Sequence, residues 1–323
     1  MAEPKPKAGL FKLADKVVAS KALYAVLAVS FVLYLLTKSP LFALLVALSI
    51  AGEFIAETLS GVAKHGWFRE LREIGIAVLI ALVVWFGGGY VLQTHAPLNA
   101  VVSCSMLPSL DRGDMMVLQG ALPNAPEIQL SEEAWGAFNF SGAGWCGLCK
   151  KQEDGSYELC QGTPVRPIEI VDSGGSLLAY GTEVREEAPA QGNVGVECGW
   201  CEVALGSGKT VKAPCATGLR LGSAVVHEDL SNDVVVYTAG KGDRMPGEII
   251  HRVYARVNAD GKYYFITKGD NNPQFDFQYG NAPVPEGRVT GKTILRIPYL
   301  GYVKLFLFGY LATPPGCDSR ILH

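Results

Sequence analysis

Val101-Val-Ser-Cys-Ser-Met-Leu-Pro-Ser-Leu-Asp-Arg-Gly-Asp-Met-Met-Val-Leu-Gln119 is the stretch from which the rest of the chain can be organised. Val101–Val102 and Met115–Leu118 are short apolar runs, and the segment between them is polar and punctuated by Pro108 and Gly113. That pattern predicts strand, turn, strand. Ser105 stands just past the first strand. A serine that attacks a carbonyl needs its hydroxyl held clear of rigid backbone, and its own N–H free to help bind an oxyanion. A strand running into a tight turn supplies both.

Upstream of this stretch the chain is membrane-like. Apolar residues make up 49% of the sequence and the mean hydropathy is +0.21, and most of the surplus lies in the first hundred residues. A basic tail, residues 1–21, carries Lys5, Lys7, Lys12, Lys16 and Lys21. Apolar runs follow at about 22–37, 41–58 and 74–92, and the third is long enough for a hydrocarbon core of about 30 Å. No small-x-small cleavage site separates the first two, so the start is read as an anchor and not a leader peptide. Lys64, Arg69 and Arg72 follow the second run, whereas Lys38 alone marks the loop before it. The basic bias predicts a cytoplasmic N-terminus, a multi-pass anchor in the cell membrane, and an extracytoplasmic location for everything after Gln93. Glu53 and Glu57 read as a solvated or partner-facing helix end. A net charge of −3 without a basic patch gives no sign of nucleic-acid binding.

Residues 121–221 form a Gly-, Pro- and Ser-rich insertion carrying six of the eight cysteines. They fall as Cys146-x2-Cys149-x10-Cys160 and Cys198-x2-Cys201-x13-Cys215, each copy a cysteine pair, a turn (Asp154-Gly155 or Gly206-Ser207-Gly208) and a returning strand. Three chemistries fit. Disulfides suit an extracytoplasmic segment with little core of its own; two Cys-x-x-Cys pairs suit a structural four-thiolate zinc site; and Cys198-Gly-Trp-Cys201 has the form of a dithiol redox motif, though without its βαβ context.

Strand patterning returns at Asp233–Tyr237 and at Ile249–Val257, where alternation puts Ile249, His251, Val253 and Ala255 on one face. A turn at Asn258–Gly261 leads to a partner strand, Tyr263–Lys268, and then to a polar loop holding Asp270 and Asp276. Two strand-like pieces follow between Val284 and Ile297. Of the five histidines, His65, His95 and His323 fall in a loop, at a span end and at the terminus, and His227 falls in a loop before a strand. His251 alone lies inside a strand, with two aspartates one hairpin later. A general base needs rigid placement near the serine and a third group that fixes its tautomer, and His251 with Asp270 or Asp276 meets both needs. The tail, 299–323, is apolar at its start and too short for a span, and reads as interfacial or partner-docking.

Ser103-Cys-Ser-Met-Leu-Pro108, Gly113-Asp114, Asp233-Val-Val-Val-Tyr237, Ile250-His-Arg-Val253 and Thr267-Lys-Gly-Asp-Asn-Asn272 occur together and in this order. The set resembles type I signal peptidases of the archaeal and endoplasmic-reticulum kind, and Ile297-Pro-Tyr-Leu-Gly-Tyr-Val303 is similar to the archaeal branch. The resemblance implies transmembrane helices followed by a mainly β extracytoplasmic catalytic domain of the signal-peptidase/LexA-like fold, here at 94–120 and 222–298. It implies Ser105 as nucleophile, His251 as base, Asp276 as the orienting aspartate and Asp270 as a second acidic position supporting the site. Ser103 matches a serine that joins the Ser105 N–H in the oxyanion hole of bacterial-type relatives. Lys268 is not the base by this resemblance. Cys104, between the two serines, is a departure that places a thiol beside the nucleophile; the insertion and the multi-span start are two more.

The expected activity is removal of signal peptides from exported preproteins, with membrane lipid and translocon or accessory subunits as neighbours and no cofactor for the chemistry. The alternatives are a non-catalytic membrane adaptor that binds a partner through the cysteine module, and a peptidase with few substrates.

Overall fold

The computed structural model describes residues 8–37, 40–150, 156–171, 175–186, 194–310, 312–314 and 316–323. Lys5, Lys7, Lys38 and the Asp154-Gly155 turn lie outside the described residues. The chain forms two compact units, residues 1–91 with 302–313, and 92–301 with 314–323.

The first unit is helical: α1 (Ala8–Ser20), α2 (Ala22–Thr37), α3 (Pro40–His65) and α4 (Trp67–Val91). Within the expected basic tail, residues 8–20 form α1, whose Asp15 pairs with Lys64 of α3 at 3.0 Å. Among the described residues, two helices are long and apolar enough to cross a membrane, over Leu44–His65 and Trp67–Val91. The run at 22–37 reaches that length only together with α1, to which it is bent by 54°. The second apolar run is thus longer than its charge-free part. Glu53 and Glu57 lie inside α3 and not at its end; Glu53 is buried, and Glu57 accepts from the Tyr24 hydroxyl.

The second unit is mostly β. In chain order it holds β1 (Leu98–Ala100), β2 (Met115–Gln119), β3 (Glu127–Leu130), a short α5 (Glu132–Gly136), β4 (Trp145–Lys150), β5 (Tyr157–Val171), β6 (Leu177–Glu186), β7 (Val194–Leu205), β8 (Thr210–Leu221) and β9 (Ala224–His227). It continues with β10 (Val234–Thr238), β11 (Glu248–Ala259), β12 (Lys262–Lys268), β13 (Val284–Pro285), β14 (Val289–Ile297) and, after α6 (Tyr302–Leu307) of the helical unit, β15 (Ser319–Leu322). One sheet runs β1-β2-β14-β10-β11-β12-β13, with β3 parallel to β11. A second runs β15-β7-β8-β6-β4-β5, with β9 on β8.

Along β11 the alternation holds: Ile249, His251 and Val253 are buried, and a register shift between Val253 and Ala255 buries Tyr254 as well. The β11–β12 turn is Asp260-Gly261, both at positive φ (49° and 87°), the backbone of a two-residue hairpin loop whose twist matches its strands.

The cysteine-bearing segment does not fold apart from the first sheet. Its Val196, Ala216, Leu219 and Leu221 pack into one core with Tyr254, Ala255, Val257, Ile266, Phe275 and Phe277. Nor do the sheets change partners at 121 and 222, since β3 pairs with the first sheet and β9 with the second. His227, expected in a loop, lies on β9.

The six clustered cysteines are paired as Cys149–Cys160, Cys201–Cys215 and Cys146–Cys198. Within each copy the second cysteine closes its own hairpin, β4–β5 or β7–β8, and the first cysteines tie the two copies together. The zinc and dithiol readings both need free sulfurs at Cys146, Cys149, Cys198 and Cys201, and here each is bonded to another. The Cys201–Cys215 bridge spans 14 residues, a loop length for which chain entropy gives about 3 kcal/mol. Cys201→Ala/Cys215→Ala is therefore expected to lower unfolding stability by about 3 kcal/mol, read from guanidinium unfolding followed by near-ultraviolet circular dichroism. An unchanged midpoint would contradict it.

The tail divides. Tyr302 and Leu305 of α6 are buried in the helical unit, where the rings of Tyr302 and Phe306 meet Tyr34 at 5.6 and 4.3 Å. Residues 314–323 return to the β unit, where β15 pairs antiparallel with β7. This end of the chain is thus docked within its own molecule.

Candidate active site

Ser105 sits in the turn between β1 and β2, held from both sides. Beneath it, Met106 is 1% exposed and packs with Val101, Leu110, Met116, Leu118 and Val236. Burying the neighbouring methionine leaves the serine half-buried at the surface. Arg296 of β14 clamps the far side of the turn, donating to the Ser109 carbonyl at 2.8 Å and pairing with Asp111 and Asp114. Asp114 also accepts from the Asp111 N–H at 2.7 Å, and Gly113 takes a φ of 94°, so the Gly113-Asp114 pair closes the turn.

His251 and Asp276 complete a line with Ser105. His251 Nε2 is 3.1 Å from Ser105 Oγ, and its Nδ1 is 2.7 Å from Asp276 Oδ2. A carboxylate only accepts, so Asp276 fixes the imidazole proton on Nδ1 and turns the Nε2 lone pair toward the serine. His251 and Asp276 are 3% and 2% exposed, and burial strengthens each contact. Asp276 Oδ2 also accepts from the hydroxyls of Tyr237 at 2.8 Å and Thr267 at 2.5 Å. Burial pushes the Tyr237 phenol far up, and the Asp276 carboxylate adds to it, so Tyr237 stays a donor. Asp276 lies between Phe275 and Phe277, both anchored in the core, and its loop is pinned to the second sheet. There the Gln274 side chain exchanges two hydrogen bonds with the Cys146 backbone, and Ala216 N donates to Pro273 O.

Ser103 Oγ lies 3.2 Å from Ser105 Oγ, within the serine's immediate surroundings. Asp270 does not reach His251. It forms a two-point pair with Arg252 at 2.9 and 2.6 Å. Arg252 points to the other face of β11, where it also donates to Ser109 Oγ and to the carbonyls of Leu230 and Asn232. All five guanidinium donors are used, and through them Asp270 supports the turn that carries Ser105.

Lys268 is buried, and its ammonium donates to Glu228 at 2.8 Å. Burial pushes the Glu228 carboxyl up, but the hydrogen bond from His323 and the charge of Lys268 outweigh it and hold the group down at about 2. The hydrogen bond to Glu228 in turn raises the His323 imidazole.

Cys104, read from sequence as a free thiol, is bonded to Cys317. Gly269 answers a close approach: a Cβ there would lie 2.6 Å from the Ser105 carbonyl oxygen. Gly269→Ala is expected to cost about 2 kcal/mol by overpacking and to lower turnover by displacing Ser105, checked by thermal unfolding and peptide cleavage. Wild-type values in both would show that the carbonyl can yield. Tyr237, Thr267, Arg252 and Asn271 were missed as site residues, although each stands inside one of the quoted motifs, which was the available signal.

No family model matches the chain. It is 31% identical over 86 residues to the signal peptidase complex catalytic subunit SEC11 of Pyricularia oryzae and equally to that of Sclerotinia sclerotiorum, covering 26% of this chain and 48% of each of those proteins. It is 40% identical over 65 residues to an uncharacterized protein of Methanocaldococcus jannaschii, covering 19% of this chain and 32% of that one. The chain thus spans half or less of the length of these relatives. Two helices of membrane-spanning length, a mostly β unit and this partial similarity give the chain a signal-peptidase-like character.

Proposed function

We propose that this chain is a membrane-bound serine endopeptidase that removes signal peptides from exported preproteins. The observation that carries the proposal is the alignment of Ser105, His251 and Asp276 at hydrogen-bond distances. His251 Nε2 takes the Ser105 proton as Oγ attacks the scissile carbonyl. Asp276 stabilises the imidazolium that forms, and the Ser105 N–H with the Ser103 hydroxyl binds the developing oxyanion. His251 then returns the proton to the leaving amine, and a water activated by the same imidazole releases the acyl-enzyme.

The substrate binds extended. Among the described strands β1 pairs with β2 alone, which leaves its other edge for the residues before the cleaved bond. The preference expected there is for small side chains at the first and third positions before the cut. With the basic residues cytoplasmic, the β unit lies outside the membrane, where a signal peptide's cleavage site emerges. Translocon or accessory subunits are the expected neighbours.

The test is reaction of the detergent-solubilised protein with a fluorophosphonate, mapped by mass spectrometry. The proposal predicts one modified peptide, carrying Ser105, with no modification in Ser105→Ala and slow modification in His251→Ala. A wild-type protein that does not react, or that reacts elsewhere, would contradict it.

A further inference from the structure

Residues 314–323 sit against the nucleophile's own backbone, and nothing in the proposed chemistry uses them. Two independent connections make the link. The first is covalent: Cys317 is bonded to Cys104, the residue immediately before Ser105, across 213 residues of sequence. The second runs through Asn271, in the loop between β12 and Asp276. Its backbone N–H donates to the Ser105 carbonyl at 2.8 Å, and its Nδ2 donates to the Cys104 carbonyl at 3.0 Å. The same side chain holds the returning segment, Nδ2 donating to Ser319 O at 3.0 Å and Oδ1 accepting from Ile321 N at 2.8 Å. The carbonyls of the two peptide bonds that flank Ser105 are therefore both held by one residue, and that residue is itself held by the strand that Cys317 leads into.

We infer that Asn271 and the Cys104–Cys317 bridge are positioning elements for Ser105, and that residues 316–322 are part of the active site's framework. The inference rests on the serine-peptidase reading of Ser105. Its physical basis is the steepness of attack geometry: Oγ must meet the carbonyl carbon and the Nε2 lone pair together, and a misplacement of about 1 Å costs on the order of a hundredfold in rate. Among the described residues, the turn itself restrains the Cys104 carbonyl through the Leu107 N–H alone, at 3.3 Å. The disulfide holds the Cys104 side chain and the Asn271 amide holds the Cys104 carbonyl, so both act on the residue immediately before the nucleophile. Neither element touches the extended substrate's edge on β1, so the effect falls on turnover and not on substrate affinity.

The experiment compares kcat and KM for a synthetic peptide with an apolar core and a small-x-small cleavage site, using the full chain in detergent. The variants are Cys104→Ala/Cys317→Ala and Asn271→Asp. Asn271→Asp removes the Nδ2 donor shared by the Cys104 and Ser319 carbonyls, while the acceptor for Ile321 N and the pairing of β15 with β7 still hold the returning strand. Each variant is expected to lose on the order of a hundredfold in kcat with KM changed by less than about threefold. Wild-type kcat in Asn271→Asp, or a loss confined to KM, would overturn the inference. If the double variant fails to fold, as judged by circular dichroism, Asn271→Asp decides alone. A wild-type protein that neither cleaves the peptide nor reacts with a fluorophosphonate would remove the peptidase reading and this inference with it, whereas an active wild type with equally active variants removes this inference alone.

Discussion

Ser105→Ala is expected to abolish cleavage, with kcat falling by about 10⁴-fold or more, because it removes the hydroxyl aligned with His251 that would form the acyl-enzyme. The Ser103 hydroxyl lies 3.2 Å from Ser105 Oγ. Its distance from the imidazole is a property of the turn, and Nε2 is directed to Ser105. The substitution removes one oxygen from a half-buried position and adds no bulk, so folding is expected to be unchanged. Substrate should still bind, since the β1 edge is untouched. A variant that bound preprotein but released no product would show this division, while a variant with a tenth of wild-type turnover would mean that the nucleophile lies elsewhere.

Asp276→Asn produces the second large effect, and the surroundings of Asp276 set its size. Oδ2 receives three donors, from His251, Tyr237 and Thr267, whereas the buried Oδ1 has no partner among the described residues. An asparagine therefore places its carbonyl at the three-donor position and its amide where Oδ1 was. The histidine keeps its tautomer, and what is lost is the charge that stabilises the imidazolium during attack. The expected loss in kcat is about a hundredfold to a thousandfold, within the range for a general-base system weakened but still aligned. Asp276→Ala, which strands all three donors, is expected to be more damaging both to rate and to stability. Near-wild-type rates in Asp276→Asn would show that orientation alone suffices. Complete loss with a changed histidine tautomer, read by nitrogen chemical shifts, would show that the amide had settled the other way round.

The parts of the site that could be read from sequence were those set by local pattern. Ser105 follows a short apolar run and precedes a proline-containing turn, and His251 falls on the buried parity of a strand. Both signals are short-range, and the structure places the two side chains at bonding distance. The choice between Asp270 and Asp276 was not legible, because a loop rich in Gly, Asn and Pro fixes no side-chain direction. Asp276 is selected by two flanking phenylalanines that anchor in a core formed with the second sheet, a feature made by residues far apart in the chain. Asp270 is taken by Arg252, which alternation places on the face opposite His251.

The cysteines show the same limit. Spacing alone left disulfides, zinc and redox chemistry open, and connectivity cannot be deduced from spacing. Cys104 and Cys317 were furthest from being paired, since one looked like a substitution beside the nucleophile and the other lay in an apolar tail. The full length of α3 was not legible for a simpler reason. Charge-free runs end at Glu53 and Glu57, but a helix continues past charged residues when its other faces stay packed, as α3 does to His65. The second sheet was hidden because β5 and β8 contain prolines and glycines that break the usual strand pattern.

The most direct test of the central claim is cleavage of a model preprotein by the detergent-solubilised chain, run beside Ser105→Ala, with the product's new N-terminus sequenced. The account predicts one cut at the end of the signal peptide, after a small residue with another small residue two positions before it, and no cut by the variant. A folded wild-type protein that leaves the preprotein intact, or a cut that persists in Ser105→Ala, would contradict it.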